Sequence, residues 1–258
     1  MNIPFILLII LFILMAVVGG ERGRNSFFTL LLNFLIVFVM IILIAAKLDP
    51  MKVTIIGCII ITFTTLMFTN GVNIKTVSSL ISVTIVVLLT MLITYNMGNS
   101  AKIQGFGLEQ IESIAYFSTY IQVDFTKVIT CQILIGLLGA IIDVSISISS
   151  SIYEIYSNNS SASQSNLFKS GMNIGKDILG TMTNTILFAY VGGFMTLVIY
   201  FNELHYKISD ILNAKVFYSE VFQGLCGGIG IILIIPITAV IASRLITIKH
   251  TPKEDSSI

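Results

Sequence analysis

Seven apolar runs, each close to the length of a bilayer crossing, constrain this chain more than any other feature. They cover residues 3–20, 26–46, 53–69, 77–97, 126–152, 178–201 and 221–245, with charged residues gathered between them. A transmembrane helix needs about 20 mostly apolar residues to match a hydrocarbon core about 30 Å thick. Only 10% of the 258 residues are charged and 55% are hydrophobic, whereas soluble domains carry about 25% charged residues. The expected fold is therefore all-α: one polytopic membrane domain of about seven transmembrane helices with short interfacial helices. Lys and Arg are absent ahead of the first run and no A-x-A site follows it, so an uncleaved span is expected there.

Between the runs the composition changes. Gly105–Glu109 reads as a turn, and Ile111–Val123 as a short amphipathic helix at the interface. Residues 156–166 are rich in Ser and Asn and read as a flexible loop, after which 167–176 reads as a short surface helix. Residues 203–220 are again amphipathic, and 247–258 form a polar tail. With alternating connections, eight Lys and Arg side chains fall on one side (Arg22, Arg24, Lys75, Lys169, Lys176, Arg244, Lys249, Lys253) against six on the other. The positive-inside rule then sets the N-terminus outside and the C-terminus in the cytoplasm.

The fifth run holds an acid well inside it. An Asp near the middle of a membrane helix costs about 2.5–3.5 kcal/mol on insertion scales, so Asp143 calls for a partner, water or a proton. Asp143, Ser147, Ser150 and Glu154 follow at intervals of four, three and four residues, which places them on one helical stripe. In the sixth run Asp177, Thr181 and Asn184 share a face, and Asp177 stands at the expected helix start, where a carboxylate suits the dipole. Counting along two consecutive antiparallel helices, Asp143 and Asn184 come within about 3 Å in depth, close enough to bond if the helices pack. Such a pair serves either a polar cavity and proton relay or plain interhelical bonding.

Small residues suggest where helices approach. Gly136 and Gly139 precede Asp143, and Gly224, Gly227 and Gly228 open the last run, all expected as packing positions. Pro236 is expected to kink that last helix. The serines of 145–151 are expected to bond back to the carbonyl four residues earlier.

Other chemistry finds little support. Gly171-Met-Asn-Ile-Gly-Lys176 is one residue short of a phosphate loop and is followed by Asp. The three cysteines fall singly within runs, and His205 and His250 lack ligand companions, so neither a metal site nor a cofactor is expected. A net charge of +1 gives no basis for binding nucleic acid. No paired Asp, Ser–His or HExxH set within the runs suggests an intramembrane enzyme.

Several blocks are similar to a known family. Gly19-Gly-Glu-Arg-Gly, Gly105-Phe-Gly-Leu-Glu, Gly139-Ala-Ile-Ile-Asp-Val-Ser-Ile-Ser-Ile, the block from Lys169 to Gly192, and Gly228-Ile-Gly-Ile-Ile-Leu-Ile-Ile-Pro-Ile-Thr-Ala resemble the YibE/YibF family of bacterial multi-pass membrane proteins. The short N-terminus looks like the YibF type. The resemblance implies a bacterial plasma-membrane location and a larger YibE-like paralogue, or another copy, as partner. Gly139, Asp143 and Glu154 are also spaced like residues of the fourth helix of the resistance–nodulation–division superfamily, where the matching Asp handles protons. The large extracytoplasmic domain of that superfamily is replaced here by Lys47–Lys52. Two readings follow. One is a proton-coupled permease or a subunit of one, with Asp143 titrating, Ser147, Asp177, Thr181 and Asn184 as polar companions, and Glu154 at the cytoplasmic mouth. The other is a non-transporting assembly subunit.

Overall fold

A computed structural model describes residues 3–101, 124–195 and 197–250. The expected turn at Gly105–Glu109 and the interfacial helix at Ile111–Val123 lie outside the described residues. So does the tail beyond His250. Eight helices follow in order: α1 (Ile3–Ala45), α2 (Pro50–Asn70), α3 (Ile74–Ala101), α4 (Phe125–Asn158), α5 (Gln164–Phe194), α6 (Leu197–Glu203), α7 (Ile208–Asn213) and α8 (Lys215–His250). The described residues contain no strand.

Five of these helices are long and apolar enough to cross a membrane, or six when α5 and α6, bent by 47°, are taken together. The expected seven runs counted the first two separately. Here they are two arms of one element, α1, broken at Gly20. Gly20 has φ 56° and ψ −132°, a conformation open to glycine and costly for a residue with a Cβ. Beyond it the chain folds back. The rings of Phe12 and Phe27 lie 4.9 Å apart, although fifteen residues of unbroken helix would separate them by about 22 Å. A Cβ on Gly23 would run into the Met15 carbonyl, so the arms meet backbone to backbone.

Other boundaries follow from local chemistry. Asp49 caps α2 by accepting from the backbone N–H groups of Met51 and Lys52, with Pro50 in the first turn. Asp124 caps α4 in the same way through Thr126 and Lys127. Ser163 accepts from the Asn166 N–H and starts α5 earlier than expected. The expected surface helix at 167–176 is thus the first half of α5, and Leu167 is fully buried. Asp177 consequently stands in the middle of a helix, away from any dipole end. The expected amphipathic segment at 203–220 divides into α7 and the first turns of α8.

The centre of the bundle is α4, which packs against α2, α3, α5 and α8, while α1 packs on α2. Its inward side carries Ile133, Leu134, Leu137, Ile141, Ile148 and Ile152, all fully buried. The four helices around it also touch in sequence, α2 against α3, α3 against α8 and α8 against α5. The outer surface is apolar: Val18 is 86% exposed, and Phe34 and Phe188 are also bare. Such a coat is stable against lipid tails and not against water. The two sets of connections sit at opposite ends. Lys127 Nζ meets Asp49 Oδ2 at 3.0 Å at one end, and Arg22, Asn73, Lys75 and Ser150 surround one cavity at the other.

Candidate functional site: an acid in an intramembrane groove

The two faces of α4 carry different polar groups. Ser145 and Ser149 point inward and are fully buried. Ser78 and Ser79 of α3 both donate to Ser149 Oγ, at 3.2 and 3.1 Å. Thr238 of α8 donates to Ser145 Oγ at 3.1 Å, and Ser145 donates to the Ser79 carbonyl at 3.5 Å. These two serines therefore join three helices, in place of the backbone bond four residues earlier that the sequence suggests. Burying hydroxyls in hydrocarbon requires such partners.

The opposite face carries the stripe. Asp143, Ser147 and Glu154 are exposed and Ser150 is half-buried. Asp143 makes no hydrogen bond among the described residues and lines a groove of about 400 Å³. The second arm of α1 and the face of α4 form its sides, and α2 closes it between them through Ile61 and Thr65. Gly139 lies one turn before Asp143, and a Cβ there would meet nothing within 4 Å, so the groove is open beside the acid. The polar groups across it are Asn33 and Thr65, which are bonded to each other: Asn33 Nδ2 donates to Thr65 Oγ1 at 2.8 Å. Asn33 also accepts from Thr64 Oγ1 at 3.0 Å, which fixes its amide on the groove wall.

Asp177, Thr181 and Asn184 of α5 lie elsewhere. All three are exposed and none lines the groove. Thr181 bonds back to the Ile178 carbonyl at 2.9 Å, and Thr185 bonds to the Thr181 carbonyl at 2.8 Å. No hydrogen bond joins Asp143 to Asn184 among the described residues. Equal depth would join that pair only if the two stripes faced each other, and the rotation of α4 about its axis turns Asp143 toward α1 and α2.

The glycines divide by what surrounds them. A Cβ on Gly136 would approach the Tyr190 hydroxyl to 2.6 Å, and one on Gly227 would approach Ile186 Cγ2 to 2.9 Å. Gly224 lies near Leu187, at 3.3 Å, and Gly228 has only Thr183 at 3.8 Å. Pro236 sits inside α8, where its missing N–H leaves the Ile232 carbonyl without its helical donor. Two further close approaches belong to the glycines of the incomplete phosphate loop. Gly171 lies under Ile152 of α4, and Gly175 lies under Ile235 of α8. Their G-x-x-x-G spacing is the signal that finds them.

A carboxylate outside the expected runs also lies within a candidate span. Glu220 precedes the expected last run by one residue, but α8 already starts at Lys215. Glu220 lines a mostly apolar cavity of about 240 Å³ with Leu187, Tyr190 and Phe217, between α5 and α8. The Tyr190 hydroxyl is buried there without a hydrogen-bond partner among the described residues. No group of three metal-ligating side chains occurs among the described residues.

Neither the curated proteins nor the solved structures contain a match to the chain. The model of one protein family, described as YibE/F-like protein, matches residues 7–248. That match takes in α1 from its second turn, α2 and α4 around the groove and nearly all of α8, and the chain belongs to the YibE/F-like family.

Proposed function

We propose that this protein is a proton-coupled permease, or a subunit of one, in which Asp143 binds and releases the proton. One observation supports this reading above the others: an intramembrane carboxylate without a hydrogen bond faces an open groove. Ionised acids in hydrocarbon are costly, and they persist in membrane helices where a proton, water or a partner charge reaches them. Asn33 and Thr65 supply fixed dipoles opposite Asp143, and Ser147, Ser150 and Glu154 continue the polar face toward the end of α4. On the charge-based orientation that end is cytoplasmic, so the stripe would lead protons between the groove and the cytoplasm of a bacterial cell.

The test is proton entry into proteoliposomes under an imposed membrane potential, with an internal pH dye. Wild-type protein should conduct, Asp143→Glu should retain part of the flux, and Asp143→Asn should abolish it while remaining monodisperse. Equal flux from wild type and Asp143→Asn would remove the proposal.

A second reading is favoured by the groove's apolar rim, formed by Leu30, Phe34 and Val37. It is an assembly subunit whose groove receives one helix of a larger YibE-like paralogue, or of another copy, that satisfies Asp143. Under that reading Asp143→Asn leaves proton flux unchanged and releases the partner during co-purification.

A further inference from the structure

The cavity at the other end of the stripe has different chemistry. It encloses about 420 Å³, and beside Ile146 its lining is polar: Arg22, Thr69, Asn70, Asn73, Lys75 and Ser150. Arg22 is placed there by the turn at Gly20, two residues earlier. Lys75 stands in the first turn of α3, where the helix dipole adds positive potential. Its ammonium lies 4.9 Å from the centre of the Tyr153 ring, which steadies it without neutralising it. Ser150 projects from α4, two turns beyond Asp143.

The polar groups of this cavity are unequally engaged. Asn70 Nδ2 donates to Thr69 Oγ1 at 2.8 Å, and Asn73 Nδ2 donates to the Asn70 carbonyl at 2.8 Å. Asn73 Oδ1 accepts from the Thr76 N–H at 3.0 Å. The amides are thus committed to shaping the α2–α3 connection. By contrast, the side chains of Arg22, Lys75 and Ser150 make no hydrogen bond or ion pair among the described residues. The neighbouring acid, Glu21, is taken by Arg24 at 3.4 Å, and Glu154 does not line the cavity. Two cations and a hydroxyl therefore converge on one hollow with their donors unused.

We propose that this cavity binds a phosphate-type oxyanion. A guanidinium matches such a group with paired N–H donors, an ammonium adds a point charge, and together they balance one or two negative charges. The volume exceeds that of an isolated phosphate and leaves space for a substituent. The same oxyanion occurs as free phosphate or as the head group of an anionic phospholipid. The site stands whether or not Asp143 carries protons.

Purified full-length protein in an uncharged detergent provides the test, in two arms. The first titrates thermal unfolding with inorganic phosphate. The second uses native mass spectrometry to count phosphatidylglycerol and phosphatidylcholine retained after extraction. A saturable rise in unfolding temperature identifies free phosphate, and preferential retention of phosphatidylglycerol identifies the lipid head group. In either case the Arg22→Gln/Lys75→Gln variant should lose the effect, with apparent affinity reduced at least about tenfold, the loss of one charge-assisted hydrogen bond. Arg24→Gln, which removes a cation already paired, should behave as wild type. The proposal is overturned if neither arm gives a signal, if the double variant matches wild type, or if Arg24→Gln has the same effect as the double variant.

Discussion

Gly175 of α5 lies so close to Ile235 of α8 that a side chain there would meet the Ile235 Cβ and Cγ1 at 3.2 Å and its Cγ2 closer still. One turn earlier on the same helix, Gly171 faces Ile152 and Ala239. Together they hold α5 against α4 and α8, where lipid tails offer no hydrophobic driving force and close contact must supply the attraction. Gly175→Val should lower the unfolding temperature in detergent, at a cost of about 1–3 kcal/mol from overpacking. Adding Ile235→Ala should restore part of the loss. A Gly175→Val protein that melts with wild type would mean the two helices are not pressed together at this point.

How far this arrangement could be read from the chain alone depends on the question. Spacing placed Asp143, Ser147, Ser150 and Glu154 on one stripe, because the helical period is intrinsic to the backbone, and that stripe is one face of α4. Which neighbour the stripe faces is a matter of rotation about the helix axis. That is decided by the fit of all surrounding helices, so Asn33 and Thr65 occupy the place expected of Asn184 and Thr181. Gly136 and Gly139 make the same point. They are three residues apart and equally small, yet one touches Tyr190 and the other opens onto the groove. The turn at Gly20 was hidden for a different reason: a reversal at a glycine leaves the apolar composition of both arms unchanged.

Ser149 accepts from two hydroxyls of α3, and its loss should be small but measurable. Interhelical hydrogen bonds in membranes average about 0.6 kcal/mol. Ser149→Ala should therefore destabilise by about 0.6–1.7 kcal/mol. Combined with Ser79→Ala the change should be less than the sum of the two, because both remove one shared bond. Strict additivity in that double-mutant cycle would argue that the hydroxyls do not interact.

The ion pair between Lys127 and Asp49 ties the α1–α2 connection to the start of α4. The hydrogen bond from Lys127 holds the Asp49 carboxyl below the usual carboxylate range. A depressed folded-state pKa contributes stability above the unfolded value, about 3.9, and that contribution disappears as pH falls through the folded value. Asp49→Asn should thus reduce the unfolding temperature at pH 7. Toward pH 3 its disadvantage against wild type should narrow, and at high salt it should narrow at neutral pH as well. A gap that stays constant across pH would show that the charge of Asp49, whether felt by Lys127 or by the capped N–H groups of Met51 and Lys52, adds nothing to stability.

Asp143 should behave in the opposite sense to an acid retained for bonding between helices. Removing one partner of a buried polar pair usually destabilises by leaving the other unsatisfied. Asp143 has no hydrogen-bond partner among the described residues, and its groove is mostly apolar. Asp143→Leu should therefore leave the isolated protein as stable as wild type or more so, with the largest gain at neutral and alkaline pH, where the wild-type acid has the greatest tendency to ionise. The gain should shrink as acid protonates Asp143. Thermal unfolding in detergent at several pH values reads this directly. Marked destabilisation by Asp143→Leu, independent of pH, would show that the carboxylate holds the bundle together and has no need of a proton.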